Sequence, residues 1–280
     1  YGFKLSIKGN KYMRKPKSTE EVIQHKKKAI RKLNQLLEDY ISSGNQDSLK
    51  KVDLLSYWIE EYASYIQDEK TFDYKRLKSY KRGDIIKVNF GFNVGSEYGG
   101  LHYAIVLNNN NARNSPVVTV IPLTSFIEGD ELHNDDVFLG NEIYKSLKLK
   151  YDTISQMLAK EKEEQDEYVA AIELLKEIYQ KTLGGENEEK YKKALDKISR
   201  EFEEKRKKNE YDTLQFEKIG KEITTMKNGS VALINLTTTI SKMKIYDPKT
   251  SKGVLSGIRL TEESMEKINT KVKEFFIFDK

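Results

Sequence analysis

A histidine follows a glycine-rich segment at the point where an apolar segment begins. Residues 91–100 contain four of the chain's 16 glycines, and His102 opens the apolar run 102–107. An imidazole exchanges a proton near neutral pH because its ordinary pKa is about 6.5. Glu97 lies in the same glycine-rich segment, where its carboxylate could act as a base or hold the imidazole. These two residues are therefore candidates for general acid–base catalysis.

Several common catalytic motifs are absent from the sequence. The glycine-rich segment leads into a strand and not into a helix, which argues against a phosphate-binding loop. No H-E-x-x-H motif occurs, and no serine–histidine–aspartate order can be defended. The chain has no cysteine, which excludes thiol catalysis and cysteine-based zinc sites and fits a cytoplasmic location. We therefore expect no metal ion and no cofactor.

The pattern of apolar residues predicts a small β domain around His102. Apolar and polar residues alternate over 86–90, which is typical of a half-buried strand, and 102–107 and 117–121 are short apolar runs. Pro122 should end that last strand or place it at an edge, because proline donates no ladder hydrogen bond. Further candidate strands are 137–139, 231–240 and 254–260, and a final helix should begin at Thr261.

Helical periodicity predicts two helical hairpins outside the β domain. The first, within 18–79, begins with a capping box of Ser18 and Glu21. The second, at 151–215, should be an antiparallel coiled coil that turns back at Gly184-Gly185. The predicted fold class is thus α+β, with the β domain at 80–150 and 216–280 split by the inserted hairpin.

The basic charge is concentrated at one end of the sequence. The net charge is +5, yet residues 1–17 hold six lysines and arginines and no acidic residue. We interpret 1–17 as a flexible basic arm, with a small β-hairpin as the alternative. No apolar run approaches the roughly 20 residues of a membrane span, so no membrane role is expected.

Five segments resemble the MazF/PemK (Kid-like) toxins of bacterial type II toxin–antitoxin systems. In chain order they are 81–90 (KRGDIIKVNF), 95–107 (GSEYGGLHYAIVL), 117–125 (VVTVIPLTS), 229–243 (GSVALINLTTTISKM) and 260–268 (LTEESMEKI). The region of resemblance, about 80–150 and 216–276, is roughly half of the chain. Each segment alone is a weak signal, but their order is that of the family.

The resemblance implies an SH3-like β-barrel, a homodimer, a cognate antitoxin protein and metal-independent cleavage of single-stranded RNA at short sequences. The family's threonine in the segment ending in Thr-Ser corresponds to Thr124. The family has an arginine where this chain has His102, and the proline that usually follows is Tyr103. This departure changes the group that would bind the phosphate.

Imidazole chemistry suits such a reaction at His102. RNA cleaves itself when its 2′-oxygen is deprotonated, its 5′-oxygen is protonated and the phosphate charge is stabilised, and a histidine can transfer both protons. The catalytic candidates are His102, Thr124 and Glu97. We expect contacts with RNA from four further residues, which are Ser96, Arg82, Ser125 and Thr239. Messenger RNA is the expected substrate.

Structural roles are the alternative for each candidate. His102 could be a partly buried histidine bonded to a carbonyl, Glu97 could order its loop, and Arg82 could belong to a turn. On that basis the second functional hypothesis is a catalytically silent module that binds RNA or protein on the same barrel. A third hypothesis is a scaffold that assembles through its coiled coil, although a long glycine-rich loop is not needed for that role.

Overall fold

The structure is a computed structural model that describes residues 18–129, 131–226 and 229–277. The chain forms two compact units that divide between Asp68 and Glu69. The predicted boundary at residue 79 stays a prediction. The predicted basic arm at 1–17 lies outside the described residues.

The first unit contains two helices, α1 (Thr19–Ser42) and α2 (Gln46–Asp68). The predicted capping box is formed, since the Glu21 backbone N–H donates to Ser18 Oγ (3.2 Å) and the Ser18 N–H donates to Glu21 Oε2 (2.8 Å). Between the helices Gly44 has a φ of 62°, a conformation that glycine adopts without steric cost. Both predicted helices are confirmed.

Seven antiparallel strands form the sheet of the second unit. They are β1 (Ile85–Asn89), β2 (Leu101–Val106), β3 (Val117–Ser125), β4 (Asp136–Gly140), β5 (Ser230–Leu233), β6 (Thr238–Ser241) and β7 (Ile245–Asp247). Their order is β4-β5-β3-β2-β1-β7, and β6 pairs with β3. The α+β class is confirmed.

The strand pairing does not close into the predicted SH3-like barrel. The described pairs leave β7 bonded to β1 at one end of the sheet and β6 bonded to β3. Between β6 and β7 the chain takes a single 3-10 turn at Lys242–Lys244. Backbone connection, and not a ladder of hydrogen bonds, thus joins these two strands.

Strand β3 passes through Pro122, which corrects the prediction that this proline ends a strand or lies at an edge. Pro122 lies opposite Ala104 of β2. On the other side of β3, residues 117–120 pair with β6 and residues 123–125 pair with β5. The proline falls between those two ladders, where no partner strand requires its missing N–H.

Two other strand predictions change. The run 231–240 is divided into β5 and β6 by a 3-10 turn at Ile234–Leu236. Segment 254–260 forms turns, with one isolated bridge between Arg259 and Asp84. Its buried residues Leu255, Ile258 and Leu260 explain its apolar pattern, because apolar side chains also anchor turns to a core.

Apolar side chains cover both faces of the central strands. In β1, Ile85 belongs to one buried cluster, whereas Ile86 and Val88 belong to another. The first cluster also contains Ile143, Ile219 and other residues of the helices that pack on that face. A polar side chain on this face of β1 therefore lies among helices and needs a hydrogen-bonding partner.

The inserted hairpin consists of α3 (Glu142–Lys181) and α4 (Glu188–Thr225). Both helices extend beyond the predicted 151–215, and the turn between them contains the predicted Gly184, with a φ of 77°. At 1.5 Å per residue, the 40 residues of α3 span about 60 Å. The end of the hairpin near the sheet is part of the core, because Leu147 and Ile219 are buried there.

The final helix, α5 (Glu262–Phe276), begins as predicted at Thr261, whose hydroxyl accepts the Ser264 N–H (3.3 Å). Glu142, at the start of α3, accepts hydrogen bonds from the Thr261 N–H and the Ser264 hydroxyl. The beginnings of α3 and α5 are therefore held together by one carboxylate.

Lys150 links α3 by hydrogen bonds to the turns that precede α5. Its ammonium donates to the carbonyls of Gly253 (3.2 Å), Val254 (2.7 Å) and Ser256 (2.9 Å). Burial lowers the pKa of Lys150, since removing a charge from water is costly. Three hydrogen bonds to the carbonyls offset that cost.

We expect Lys150→Met to lower the free energy of unfolding by about 2 kcal/mol, because carbonyls are left buried without a donor. Urea unfolding followed by circular dichroism measures the change. Lys160→Met, at an exposed lysine of the same helix, is the control and should stay within about 0.5 kcal/mol of the parent protein. Equal stability of all three proteins would contradict this role of Lys150.

Candidate functional site

His102 is the second residue of β2, and its ring packs against Tyr98. Val88 lies opposite His102 in the β1–β2 ladder. The ring centroids of Tyr98 and His102 are 4.7 Å apart with an interplanar angle of 52°. Gly100 has a φ of 86°, and a Cβ there would lie 3.2 Å from His102 Nε2. A glycine at this position therefore leaves room for the imidazole.

The glycine-rich loop is closed by backbone hydrogen bonds at its base. The Phe90 N–H donates to the Gly100 carbonyl (2.8 Å), and the Gly100 N–H donates to the Gly91 carbonyl (2.8 Å). The Tyr98 hydroxyl reaches the Leu123 carbonyl of β3 (2.5 Å). These bonds fix the ring of Tyr98, and with it one wall of the His102 environment.

His102 shares a cleft of about 230 Å³ with Thr124 and Ser125. The two hydroxyl residues end β3, opposite Val231 and Ser230 of β5. The structure therefore brings together three candidate residues from two separate segments of the sequence. The other lining residues are Lys87, Leu101, Tyr103, Leu123, Thr225, Met226, Gly229 and Ser230.

An ion pair beside this cleft is not evident from the sequence. Lys87 of β1 lies opposite Tyr103 of β2, and its Nζ is 2.5 Å from Glu222 Oε1 in the last turn of α4. The Tyr103 hydroxyl donates to the same carboxylate oxygen. Lys87 sits within an alternating strand pattern, which could have drawn attention to it, but no sequence signal pairs it with a glutamate 135 residues away.

Burial and charge shift the ionisation of the groups in this region. Burial lowers the pKa of His102, and the positive charge of Lys87 lowers it further. Burial also raises the pKa of Tyr98 to about 12, so its phenol is neutral at physiological pH. The pKa of Tyr103 rises because of burial and because its hydroxyl donates to Glu222. At neutral pH the cleft thus contains a neutral imidazole and a lysine cation.

Glu97 and Thr239 line a second cleft of about 470 Å³. Glu97 is exposed, and its Oε2 accepts the Val94 N–H of its own loop at 3.5 Å. Thr239 shares a hydrogen bond with Thr119 (3.0 Å). Tyr98 lines this second cleft and its ring also contacts His102, so the two clefts are neighbours.

The structure places Arg82 and Ser96 apart from the His102 cleft. The Arg82 guanidinium donates to the Leu107 carbonyl and to Asn269 of α5, which gives it a structural role. Ser96 is exposed in the glycine-rich loop and lines neither of the two clefts. Their expected contacts with RNA stay predictions.

The described residues contain neither a metal-binding cluster nor a helix suited to cross a membrane. Within 18–129, 131–226 and 229–277, no group of three or more His, Cys, Asp or Glu side chains could hold a metal ion. Over the same ranges, no helix has both the length and the apolar character that crossing a membrane requires.

Comparison with known proteins gives one family match. Residues 81–180 match the family described as PemK-like, MazF-like toxin of type II toxin–antitoxin system. The match spans 100 of the 280 residues and confirms the predicted resemblance over the segments 81–90, 95–107 and 117–125, whereas the segments 229–243 and 260–268 lie beyond it. The matched range includes Lys87, His102 and Thr124, whereas Glu222 and Thr239 lie beyond it. No match was found among curated proteins.

We expect the imidazole of His102 to titrate with a pKa below the ordinary 6.5, because burial and Lys87 both disfavour its charged form. NMR titration of the histidine C2–H signals measures this value, and His102→Gln identifies the signal. A value at or above 6.5 would show that the ring is more solvated than its position against Tyr98 indicates.

Proposed function

We propose that this protein is a toxin that cleaves single-stranded RNA at short sequences without a metal ion. The observation that carries the proposal is the cleft that joins His102, Thr124 and Ser125 to the Lys87 cation, because these four residues belong to the segment that matches the toxin family. Messenger RNA is the proposed substrate.

The proposed reaction is an attack by the 2′-oxygen of RNA on the adjacent phosphorus. The 2′-hydroxyl proton passes to a base, the bond from phosphorus to the 5′-oxygen breaks, and that oxygen takes up a proton. The products are a 2′,3′-cyclic phosphate and a 5′-hydroxyl end. This chemistry needs proton transfer and stabilisation of charge on the phosphate.

His102 is the proposed general base. Its lowered pKa favours the neutral imidazole at physiological pH, and only that form can accept a proton. The same lowering of the pKa argues against a positively charged His102 that binds the phosphate in place of the family's arginine. Thr124 and Ser125 are the proposed hydrogen-bond donors to the phosphate oxygens.

The second cleft is proposed to contact the nucleotides beside the cleavage site. Glu97 and Thr239 line it, and a carboxylate and a hydroxyl can accept and donate hydrogen bonds at base edges. In this proposal Glu97 selects sequence and does not share proton transfer with His102. Ser96 and Arg82 stay candidates for contacts with RNA outside both clefts.

A homodimer and a cognate antitoxin belong to the same proposal. The support for them is the type II toxin family that 81–180 matches. Light scattering at micromolar concentration tests the dimer, and co-purification with proteins of the source cell tests the antitoxin.

We expect the purified protein to cut a long single-stranded RNA in the presence of EDTA, and His102→Ala to abolish the cleavage. Loss of one proton-transfer group typically lowers a rate by about 100-fold to 10,000-fold. Mass spectrometry of the fragments should find 2′,3′-cyclic phosphate ends. As a control, His133→Ala changes an exposed histidine and should leave cleavage intact. Fragments with 5′-phosphate ends would rule out attack by the 2′-oxygen.

The pH dependence of cleavage should identify the role of His102. As a base it must be neutral, so the rate should rise with pH and level off above a pKa lower than 6.5. His102→Arg should be inactive, because arginine stays protonated in this pH range. If the variant is active with a flat pH profile, the residue serves as a cation and not as a base.

The second candidate function is a catalytically silent RNA- or protein-binding module. It is favoured by the histidine that stands where the family has an arginine. A protein that binds single-stranded RNA but yields no fragments between pH 5 and 9 would support this module and overturn the nuclease.

A further inference from the structure

A lysine in the middle of a strand supplies the positive charge of the His102 cleft. Lys87 lies on the same face of β1 as the buried Ile85, where helices pack on the sheet, and its side chain is only 19% exposed. Lys87 lines the cleft together with His102. The charge of Lys87 acts within the cleft, because it lowers the pKa of His102.

The inserted hairpin holds this lysine in place. Glu222 of α4, with a side chain that is 18% exposed, accepts hydrogen bonds from both Lys87 Nζ and the Tyr103 hydroxyl on one carboxylate oxygen. Lys87 Nζ also lies 5.3 Å from the centre of the Tyr103 ring. An ammonium has three N–H groups, so the bond to Glu222 fixes its position and leaves donors for a second anion.

We propose that Lys87 binds the scissile phosphate of RNA in this cleft and that the α3–α4 hairpin positions it through Glu222. The inference rests on the proposed function and names the group that takes over phosphate binding. His102 is neutral at physiological pH, so the charge must come from another side chain. A strand lysine held by a helix glutamate is also the arrangement that positions the phosphate-binding lysine of protein kinases.

A different role for Glu222 would be to occupy the phosphate position itself and block the cleft. The geometry favours positioning, because Lys87 lines the cleft and Glu222 does not. The two roles give opposite results when the carboxylate is removed. If Glu222 blocks the cleft, removing its carboxylate should tighten the binding of RNA. If Glu222 positions Lys87, the same change should weaken it.

The first experiment measures binding of a 2′-O-methyl RNA oligonucleotide, which cannot be cleaved by attack of its 2′-oxygen. Lys87→Gln should weaken binding about 10-fold, as expected for the loss of one charge-assisted hydrogen bond. The dependence of log K on log salt concentration should become shallower by about 0.7, the value for one phosphate contact on a single strand. Lys87→Arg keeps the charge and should keep most of the affinity.

The second experiment tests the positioning role of Glu222. Glu222→Gln should raise the KM for RNA more than it lowers kcat, because it weakens binding that ground state and transition state share. In the Lys87→Gln background the same change should add little, since Glu222 acts through Lys87. The matched control is Glu161→Gln, which removes another cross-element ion pair of the hairpin, with Lys208 (2.9 Å), at a similar side-chain exposure of 21%.

NMR titration distinguishes a lost charge from a disturbed fold. Lys87→Gln should raise the pKa of His102, because the neighbouring positive charge is gone, while Lys87→Arg should not. If disturbed packing alone shifted the pKa of His102, Lys87→Arg would shift it as well.

Failure of this inference can be told apart from failure of the proposed function. If the parent protein cleaves RNA and Lys87→Gln binds and cleaves equally well, the phosphate-binding role is wrong and the nuclease stands. If the parent protein does not cleave but Lys87→Gln still weakens binding, the nuclease is wrong and the binding role stands. Tighter binding by Glu222→Gln would overturn the positioning role.

Discussion

Burial of both faces of the central strands is the constraint on which the arrangement of polar groups depends. Ile85 on one face of β1 and Ile86 and Val88 on the other belong to two separate buried clusters. Polar side chains therefore collect where strands begin and end, as His102 does near the start of β2 and Thr124 does near the end of β3. The antiparallel pairing brings those strand ends into one cleft.

Lys87 is an exception, because it lies in the middle of β1 and pairs with Glu222 of the helical hairpin. A lysine in a covered strand position loses hydration, and this loss must be offset by a partner. Glu222 is that partner, and it lies one helical turn from Ile219, which is buried in the core. The same face of α4 thus supplies an apolar contact and a carboxylate, so docking of the hairpin and placement of the cation are coupled.

Local patterns predicted most of the helices and strands, and the family resemblance predicted the main cleft. Alternation predicted β1, the apolar runs predicted β2 and part of β3, and the order of motifs predicted that His102 and Thr124 belong to one site. The strand interpretation was wrong for 254–260, because apolar residues in turns and in strands give the same short pattern. The prediction for Pro122 was wrong because a strand can contain a proline at a point where two neighbouring ladders end. Where those ladders end is a property of the assembled sheet.

Long-range contacts could not be predicted in this way. The start of α3 was placed too late, at residue 151, whereas the helix begins at Glu142 and its first turns place Ile143 and Leu147 in the core. Glu97 was placed with His102 because both lie near the same loop, yet the chain turns between them and Glu97 lines another cleft. Glu222 was missed because periodicity identifies a helix face but not the strand residue that it will meet.

The Lys87–Glu222 pair joins the family segment to a part of the chain outside it. The match ends at residue 180, within α3, and the carboxylate comes from the last turn of α4. A hairpin that only lay on the surface could vary without consequence for the cleft. Here its removal would leave a partly buried lysine without its counter-charge, at a cost larger than that of losing a surface ion pair. The hairpin is therefore a structural component of the cleft, and any partner that shifts α4 would also move the cation beside His102.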